Sequence, residues 1–246
     1  MHDFELYGYS VFETIPARKG SFWRLDQHWS RLSSAAQHFA LTPPSRQTFI
    51  DALVQCHDAD RHEVMRYALV MEGGRWSVAK PGTAVRLMKK SAGKPRQALR
   101  LMTFPEGLAC GDRSRCFKTG ARMELQRAYM QARDQGYDDC LLIDQQGYIL
   151  ECTTGNLFLR IGGQWITPTA DRGLLAGISR NWLLELGLAK EETVHREQLA
   201  AAEAVIYTNA VEGLVPVIQL DKRDFCGEHV AHLLGTFPQR QFQPQP

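Results

Sequence analysis

Three short stretches of this 246-residue chain carry residue types that act together in one kind of chemistry. Lys118 lies in Phe-Lys-Thr-Gly, Glu151 ends the apolar run Tyr-Ile-Leu, and Gly177 opens Gly-Ile-Ser-Arg at a predicted helix start. An amine of lowered pKa can form an imine with an aldehyde, and a carboxylate can keep a pyridine nitrogen protonated. The free N–H groups of a helix N-terminus can bind a phosphate. In this order, the three stretches supply what a protein needs to hold pyridoxal phosphate.

Each stretch also has a plain structural interpretation. A single lysine at a helix entrance is usually solvated, a glutamate at a strand end usually faces water, and Gly-Ile-Ser can be an ordinary helix cap. The apolar strand before Glu151 argues for the functional interpretation, because a carboxylate buried there without a partner is costly and a pyridinium nitrogen would offset that cost.

The residues of these stretches and their order along the chain resemble the class IV aminotransferase family. These fold-type-IV pyridoxal-phosphate enzymes include branched-chain and D-amino acid aminotransferases and aminodeoxychorismate lyase. The resemblance runs from Gly-Tyr-Ser-Val-Phe-Glu-Thr at residues 8–14 to Thr-Asn-Ala at 208–210 and Pro-Val at 216–217, which is nearly the whole chain. It implies an α+β fold of two domains, a small N-terminal α/β domain and a larger C-terminal domain with a mixed or antiparallel sheet. It also implies a homodimer.

The resemblance assigns roles to particular residues. Lys118 would bind the cofactor and carry the proton to and from the substrate carbon as general base and acid. The other implied cofactor contacts are Arg31, Glu151, Asn156, Gly177, Ile178, Ser179, Thr208 and Asn209. The implied substrate contacts are Thr14, Arg75, Thr153 and Thr154.

Several positions depart from the family pattern. Tyr9 and Ser10 stand where Asp and Gly are common, and Ala121 stands where Asn often follows the lysine. Met123 occupies the place where branched-chain aminotransferases carry a tyrosine. The chain also begins almost at the Phe-Glu-Thr motif, whereas the family usually has another strand before it. These changes affect the choice of substrate more than cofactor binding.

The segment 208–217, Thr-Asn-Ala-Val-Glu-Gly-Leu-Val-Pro-Val, is more similar to aminodeoxychorismate lyases than to branched-chain aminotransferases. Arg122 and Gly-Gly-Arg at residues 73–75 share this similarity. The sequence therefore favours a lyase of folate biosynthesis that acts on a small-molecule amine. An aminotransferase for branched-chain or D-amino acids is the alternative, and a third is a protein that binds the cofactor without turnover.

Bulk properties exclude several other classes. A net charge of +2 argues against nucleic acid as a partner, and the basic stretch from Lys89 to Arg100 is predicted to be a solvated loop. No apolar run approaches the length of a membrane span. Six cysteines without a Cys-x-x-Cys pair, and no signal peptide, favour the reducing cytoplasm. His229 and His232 have helical spacing, but no further ligand stands nearby, so no metal site is expected.

Periodicity and turn residues predict the elements that position these groups. The predicted strands are 6–15, 21–25, 64–71, 84–88, 99–104, 139–144, 148–151, 156–161, 164–167, 204–207 and 215–218. The predicted helices are 25–41 with Asp26 as N-cap, 45–55 with Ser45 as N-cap, one from Met123 to Ala132 that Gly136 ends, 178–188, and a short one near 197–202. The predicted domains are 1–104 and 117–236, with a connector at 105–116 and a flexible tail at 237–246.

Overall fold

A computed structural model describes residues 3–74, 80–94, 96–226 and 240–244, together with residues 230, 232, 234, 235 and 237. The chain divides into two compact units. The first comprises Met1–Lys94, Phe117–Arg122 and Arg240–Pro246, and the second comprises Pro95–Cys116 and Met123–Gln239. This spatial division differs from the linear domain bounds that the sequence predicts, because the segment with Lys118 belongs to the first unit and residues 95–104 belong to the second.

The first unit contains an antiparallel sheet. Its strands are β1 (Ser10–Arg18), β2 (Ser21–Phe22), β3 (His62–Glu72), β4 (Gly82–Ser91) and β14 (Gln243–Pro244). In the described residues their order is β14-β2-β1-β3-β4. The predicted hairpin between β1 and β2 is confirmed, with Ala17 opposite Phe22. Lys19 and Gly20 form its turn with positive φ angles of 49° and 72°.

Two helices cover one face of this sheet. They are α2 (Leu25–His38) and α3 (Arg46–Cys56). Leu32 of α2 and Phe49 of α3 pack with Val11, Ile15 and Met65 in one buried cluster. Successive strand side chains alternate between faces, so Phe12 lies on the other face, where it packs with Phe4 of the short helix α1 (Asp3–Tyr7).

Ser45 caps α3 as the sequence predicts, since its hydroxyl accepts a hydrogen bond from the N–H of Thr48 at 3.0 Å. Asp26 as the N-cap of α2 is wrong. Arg24 holds that position in a left-handed conformation, and Asp26 lies in the first turn, where it pairs with Arg46.

The predicted strand from Leu6 to Ile15 is wrong at its start. Leu6 and Tyr7 belong to α1, and Gly8, with a φ of 65°, separates this helix from β1. The Gly8 N–H closes the helix on the carbonyl of Phe4 at 3.1 Å.

The second unit is built on a mixed sheet. Its strands are β5 (Leu99–Thr103), β6 (Asp139–Ile143), β7 (Ile149–Cys152), β8 (Asn156–Ile161), β9 (Gln164–Pro168), β10 (Lys190–Glu192), β11 (Ala204–Asn209), β12 (Gly213–Leu220) and β13 (Arg223–Asp224). The order in the described part is β10-β9-β8-β11-β12-β5-β6-β7, with β13 beside β12. The pairs β9/β10, β5/β12 and β5/β6 are parallel, and the other pairs are antiparallel.

The helices of this unit pack on different clusters. Ala128 and Ala132 of α4 (Met123–Asp134) pack against Cys140, Leu142 and Leu150. Leu183 of α5 (Ile178–Glu185) belongs to the larger cluster, which includes residues of β5, β8, β11 and β12. The expectation of an α+β fold with a mixed C-terminal sheet is confirmed.

Glycines end elements at predicted turns. Gly136 follows α4 with a φ of 81°, Gly147 turns β6 into β7 at 86°, and Gly162 and Gly163 turn β8 into β9 at 56° and 75°. The predicted helix 178–188 is too long. It ends at Glu185 because Gly187 turns to a φ of 68° and its N–H bonds the carbonyl of Leu184. The predicted short helix near 197–202 is a 3₁₀ helix at Arg196–Ala201.

Two segments differ from the predicted connector and tail. Within 105–116, Leu108 is buried and its backbone bonds the carbonyl of Ile143 and the N–H of Gln145, so this segment packs on β6. Within 237–246, Gln243 pairs with Phe22 as part of β14. Among the described residues, no helix combines the length and apolar character that a membrane span requires.

Candidate functional site

The backbone of Lys118 runs beside β1 in the first unit. The Lys118 carbonyl accepts a hydrogen bond from the N–H of Phe12 at 2.9 Å, and the Gly120 N–H donates to the carbonyl of Ser10 at 2.9 Å. A Cβ at Gly120 would clash with the Ser10 hydroxyl and would lie 2.9 Å from the backbone carbonyl oxygen of Gly8, so this close approach of two backbone segments requires glycine. These contacts fix the lysine at the edge of a sheet strand.

The side chain of Lys118 lies against an aromatic ring that also contacts an arginine. The Lys118 Nζ is 4.9 Å from the centre of the Phe12 ring, and the Arg66 guanidinium carbon is 4.7 Å from it. Arg66 is exposed and lies opposite Thr14 in the β1/β3 register. Within the described part of the chain, the guanidinium of Arg66 makes no hydrogen bond or ion pair. Two cations therefore approach one ring, and one of them is available to an anion.

The sequence prediction missed Arg66. The available signal was a single charged residue within the apolar run that forms β3. Predicted substrate contact Thr14 is the register partner of Arg66, so the structure brings these two residues together. Predicted substrate contact Arg75 lies outside the described residues, as does His229.

Arg31 lies in a buried charge cluster. Its Nε and Nη2 each donate to one oxygen of Glu13 at 2.7 Å, and His28 Nδ1 lies 2.6 Å from Glu13 Oε2. Glu13 and His28 are both fully buried. Burial raises the pKa of the Glu13 carboxyl, but the charge of Arg31 and the contact with His28 together lower it to about 2. Burial lowers the pKa of His28 from 6.5, so a neutral His28 donates to the Glu13 carboxylate.

Sequence reasoning missed the roles of Glu13 and His28. Glu13 lies on the same face of β1 as the buried residues Val11 and Ile15. A carboxylate at such a core-facing strand position indicates a buried partner.

In the second unit, Glu151 is 7 % exposed near the end of β7. Its Oε1 accepts from the N–H of Leu175 at 3.1 Å, and its Oε2 accepts from Asn156 Nδ2 at 3.2 Å. The same Nδ2 also donates to the carbonyl of Leu175 at 2.8 Å. Burial and the Glu151 charge raise the pKa of the nearby Cys116 thiol. Glu151 is thus a buried carboxylate that neutral amides orient.

Asn156 connects this carboxylate with the start of α5. A Cβ at Gly177 would clash with Asn156 Oδ1, so a larger residue at this N-cap would displace the Asn156 side chain. The N-cap offers no side-chain hydrogen bond to α5, and the first turn contains no acidic residue. The Ser179 hydroxyl is buried and has no hydrogen-bond partner in the described residues. Unused N–H groups and a buried hydroxyl fit a phosphate.

A second buried carboxylate, Asp139, organises the turn after β7. It accepts hydrogen bonds from both the hydroxyl and the N–H of Thr153, and from the Thr154 hydroxyl at 2.8 Å. The Thr154 hydroxyl also lies 2.7 Å from the Tyr207 hydroxyl, to which Asn209 Nδ2 donates at 2.9 Å. Burial raises the pKa of the Asp139 carboxyl despite these donors. The sequence prediction singled out neither Asp139 nor Tyr207.

The remaining predicted residues occupy the neighbouring strand and turn. Thr208 lies opposite Asn156 in the β8/β11 register, and its hydroxyl donates to the carbonyl of Gly213 at 2.7 Å. Asn209 Oδ1 accepts from the N–H groups of Val211 at 2.9 Å and Glu212 at 2.8 Å. The structure thus brings Glu151, Asn156, Gly177 and Thr208 together in the second unit. Ile178 and Ser179 are the first two residues of α5.

Comparison with known proteins identifies the class. Residues 10–220 match the model of the family described as amino-transferase class IV, so the chain belongs to this family. It is a pyridoxal-phosphate-dependent enzyme, as members of this family are.

Individual relatives carry two different descriptions. The chain is 29 % identical over 215 residues to a probable branched-chain-amino-acid aminotransferase of Rickettsia felis, covering 78 % of this chain and 71 % of that one. It is 24 % identical over 222 residues to a putative aminodeoxychorismate lyase of Schizosaccharomyces pombe, covering 87 % and 92 %. A crystal structure of a putative 4-amino-4-deoxychorismate lyase from Legionella pneumophila matches with a TM-score of 0.84 at 22 % identity, covering 95 % and 92 %. That structural likeness concerns the fold.

The cluster of Glu13, His28 and Arg31 predicts how stability depends on pH. The unfolded chain takes up protons at His28 below its ordinary pKa of 6.5 and at Glu13 below 4.5, while the folded chain resists both. Stability therefore falls as the pH drops through this range. We expect His28→Gln to be less stable at pH 7 but to lose less stability between pH 6.5 and 4.5, in urea unfolding followed by circular dichroism. His62→Gln, at an exposed histidine, is the control. A His28→Gln slope equal to that of the unsubstituted protein would contradict the assignment.

Proposed function

We propose that this protein is a lyase that converts 4-amino-4-deoxychorismate to p-aminobenzoate and pyruvate in folate biosynthesis. When bound, pyridoxal phosphate supplies an aldehyde for an amine and an electron-accepting ring. Lys118 removes the proton from the substrate ring carbon, pyruvate leaves, and the ring becomes aromatic. Glu151 holds a proton at the pyridine nitrogen, and the start of α5 binds the phosphate.

The proposal includes a homodimer in a reducing cytoplasm, and sedimentation showing a fully active monomer at micromolar concentration would refute the dimer.

The choice of substrate rests on the exposed guanidinium of Arg66, which has no hydrogen-bond or ion-pair partner among the residues that the structure describes. It contacts the same ring as Lys118, so a substrate held at the lysine would meet a cation. Aminodeoxychorismate carries two carboxylates, one on its ring and one on its pyruvyl ether, whereas a branched-chain amino acid carries a single carboxylate and an apolar side chain. A guanidinium binds a carboxylate through two parallel hydrogen bonds. The exposed cation therefore suits an anionic ring substrate.

The turn between β11 and β12 also supports the lyase. This turn belongs to the segment 208–217, whose sequence is similar to that of aminodeoxychorismate lyases. Asn209 holds the turn with three of its side-chain contacts, to Val211, Glu212 and Tyr207. Neither threonine nor alanine, which aminotransferases carry in this segment, has an amide that can donate and accept in this way.

The second candidate is an aminotransferase for branched-chain or D-amino acids. The similarity to the Rickettsia felis protein favours it, because that protein is described as a probable branched-chain-amino-acid aminotransferase. In that reaction Lys118 would move the proton from the substrate carbon, and water would then cleave the carbon–nitrogen bond to release a keto acid while the amino group stays with the cofactor. A protein that binds the cofactor without turnover is the third candidate.

Lys118 is expected to hold the cofactor covalently. Borohydride reduction followed by peptide mass mapping should locate the cofactor on Lys118, and Lys118→Ala should lose this adduct, the visible absorbance and turnover. Lys90→Ala, at an exposed lysine of β4, is the control and should keep all three. An adduct on any other lysine would refute the assignment of Lys118.

Arg66 is expected to bind a substrate carboxylate. Arg66→Met should raise the KM for aminodeoxychorismate roughly ten- to a hundredfold, because a hydrogen bond to a charged group contributes about 1.5–3 kcal/mol. The kcat should change less, and Arg66→Lys should recover part of the loss. Arg61→Met, which removes an exposed arginine paired with Asp58, is the matched control. An unchanged KM in Arg66→Met would remove the argument for an anionic substrate.

Lyase activity can be distinguished from transamination by adding or omitting a keto acid. A lyase should release p-aminobenzoate and pyruvate over many turnovers without a keto acid, because elimination restores the aldehyde form of the cofactor. With an amino donor alone, the visible absorbance of an aminotransferase's cofactor is lost after one turnover, and it returns when a keto acid is added. Such reversible bleaching, without p-aminobenzoate in a parallel assay, would establish the aminotransferase. An absorbance that no amine shifts would indicate a protein without turnover.

A further inference from the structure

Arg180, the third residue of α5, is a buried cation at a helix end where cations are unfavourable. Its exposed fraction is 1 %. A helix N-terminus carries partial positive charge, so a cation in the first turn is repelled and an anion there is favoured. Removing a guanidinium from water also costs several kcal/mol before any partner is counted. A medium-sized apolar residue would pack α5 without either cost, so stability alone does not explain Arg180.

The guanidinium is attached to two strands at the edge of the mixed sheet. Its Nη2 donates to the carbonyl of Pro168, the last residue of β9, at 2.8 Å and forms an ion pair with Glu191 of β10. Its Nη1 donates to Asn181 Oδ1 at 3.3 Å. These bonds hold the first turn of α5 in one position against β9 and β10.

The charge of this ion pair is unevenly screened. The Arg180 side chain is 2 % exposed, whereas the Glu191 side chain is 45 % exposed. Water screens the carboxylate more than the guanidinium, because charges in contact with solvent interact through a high dielectric constant. The net field in the first turn of α5 is therefore positive.

Two buried donors of this turn lack partners among the described residues. They are the Ser179 hydroxyl and Arg180 Nε. Buried polar groups in folded proteins almost always have hydrogen-bond partners, so the buried Ser179 hydroxyl at the helix N-terminus indicates a ligand that accepts a hydrogen bond there. An anion at this hydroxyl would satisfy the donor and would be favoured by the positive field.

We propose that Arg180 is the positioning cation of the phosphate site, holding the first turn of α5 in place and raising its affinity for a phosphate dianion. This inference rests on the proposed binding of the cofactor phosphate at α5. It explains why the fourth residue of Gly-Ile-Ser-Arg is a buried arginine and why its carboxylate partner lies towards solvent.

The test compares two ligands that differ only in the phosphate. The full chain, freed of cofactor, is titrated with pyridoxal phosphate and with pyridoxal, and inorganic phosphate is added as competitor. Arg180→Met should weaken binding of pyridoxal phosphate about tenfold or more, the scale of one lost charge-assisted interaction, and should weaken phosphate competition in parallel. Pyridoxal affinity should stay within about twofold because it has no dianion to attract. Arg180→Lys should recover part of the affinity.

Glu191→Gln separates the charge of Arg180 from its structural role. This variant breaks the same ion pair but leaves the cation, so affinity for pyridoxal phosphate should be kept or increased even if the midpoint of thermal unfolding falls. Arg160→Met is the matched control, since Arg160 lies in β8 of the same unit and this change breaks its ion pair with Glu203. Its affinities should not change.

Any one of the following results would overturn the inference. The first is an equal loss of pyridoxal and pyridoxal phosphate affinity in Arg180→Met, and the second is a Glu191→Gln loss as large as that of Arg180→Met. If Arg180→Met does not fold, Arg180→Lys and Glu191→Gln decide, because a loss of affinity in Arg180→Lys alone supports the inference and any other outcome refutes it. The third is an unchanged affinity for pyridoxal phosphate in Ser179→Ala and Gly177→Ala, which would refute the phosphate site itself. Losses in those two variants without a loss in Arg180→Met would leave the site intact and refute only the role of Arg180.

Discussion

The cost of burying negative charge governs how segments pack inside each of the two units. Glu13 and Asp139 are fully buried and Glu151 is 7 % exposed. An isolated carboxylate in such surroundings is strongly unfavourable, so each must receive donors from other elements. Glu13 draws α2 onto β1, Asp139 draws the turn after β7 onto β6, and Glu151 draws β8 and the chain before α5 onto β7. The three carboxylates therefore determine where the surrounding segments lie.

This constraint also decides which of the predicted site residues can still donate a hydrogen bond to a ligand. A hydroxyl has one hydrogen to donate, and those of Thr153 and Thr154 already point at Asp139. Asn209 likewise uses its amide to hold a turn. These three residues shape the segment in which they lie, and neither threonine can donate to a ligand while its bond to Asp139 persists. The Ser179 hydroxyl differs, since it is buried without such a partner in the described part of the chain.

Fold and family do not select the reaction. The structural match at a TM-score of 0.84 accompanies only 22 % identity, and solved structures described as a putative lyase and as a branched-chain aminotransferase both match this fold. Both reactions need an amine, a carboxylate and a phosphate site. They differ in which atom receives the proton and in which substrate the surrounding charges attract. Arg66 and the Asn209 turn bear on that difference because a guanidinium attracts an anionic substrate and the Asn209 side chain holds the turn between β11 and β12.

The sequence by itself determined the elements and the family, because local rules decide them. Alternation predicted most strands, glycines at turns predicted the hairpins, and the Ser45 cap predicted the start of α3. The same rules gave a wrong strand at Leu6, which belongs to α1, and a wrong N-cap at Asp26, because Arg24 in a left-handed conformation caps α2. Only the tertiary structure decided that Arg66 shares a ring with Lys118, that Asp139 holds the two threonines, and that Arg180 reaches β9 and β10. Each of these contacts joins residues far apart in the chain, and periodicity carries no information about such pairs.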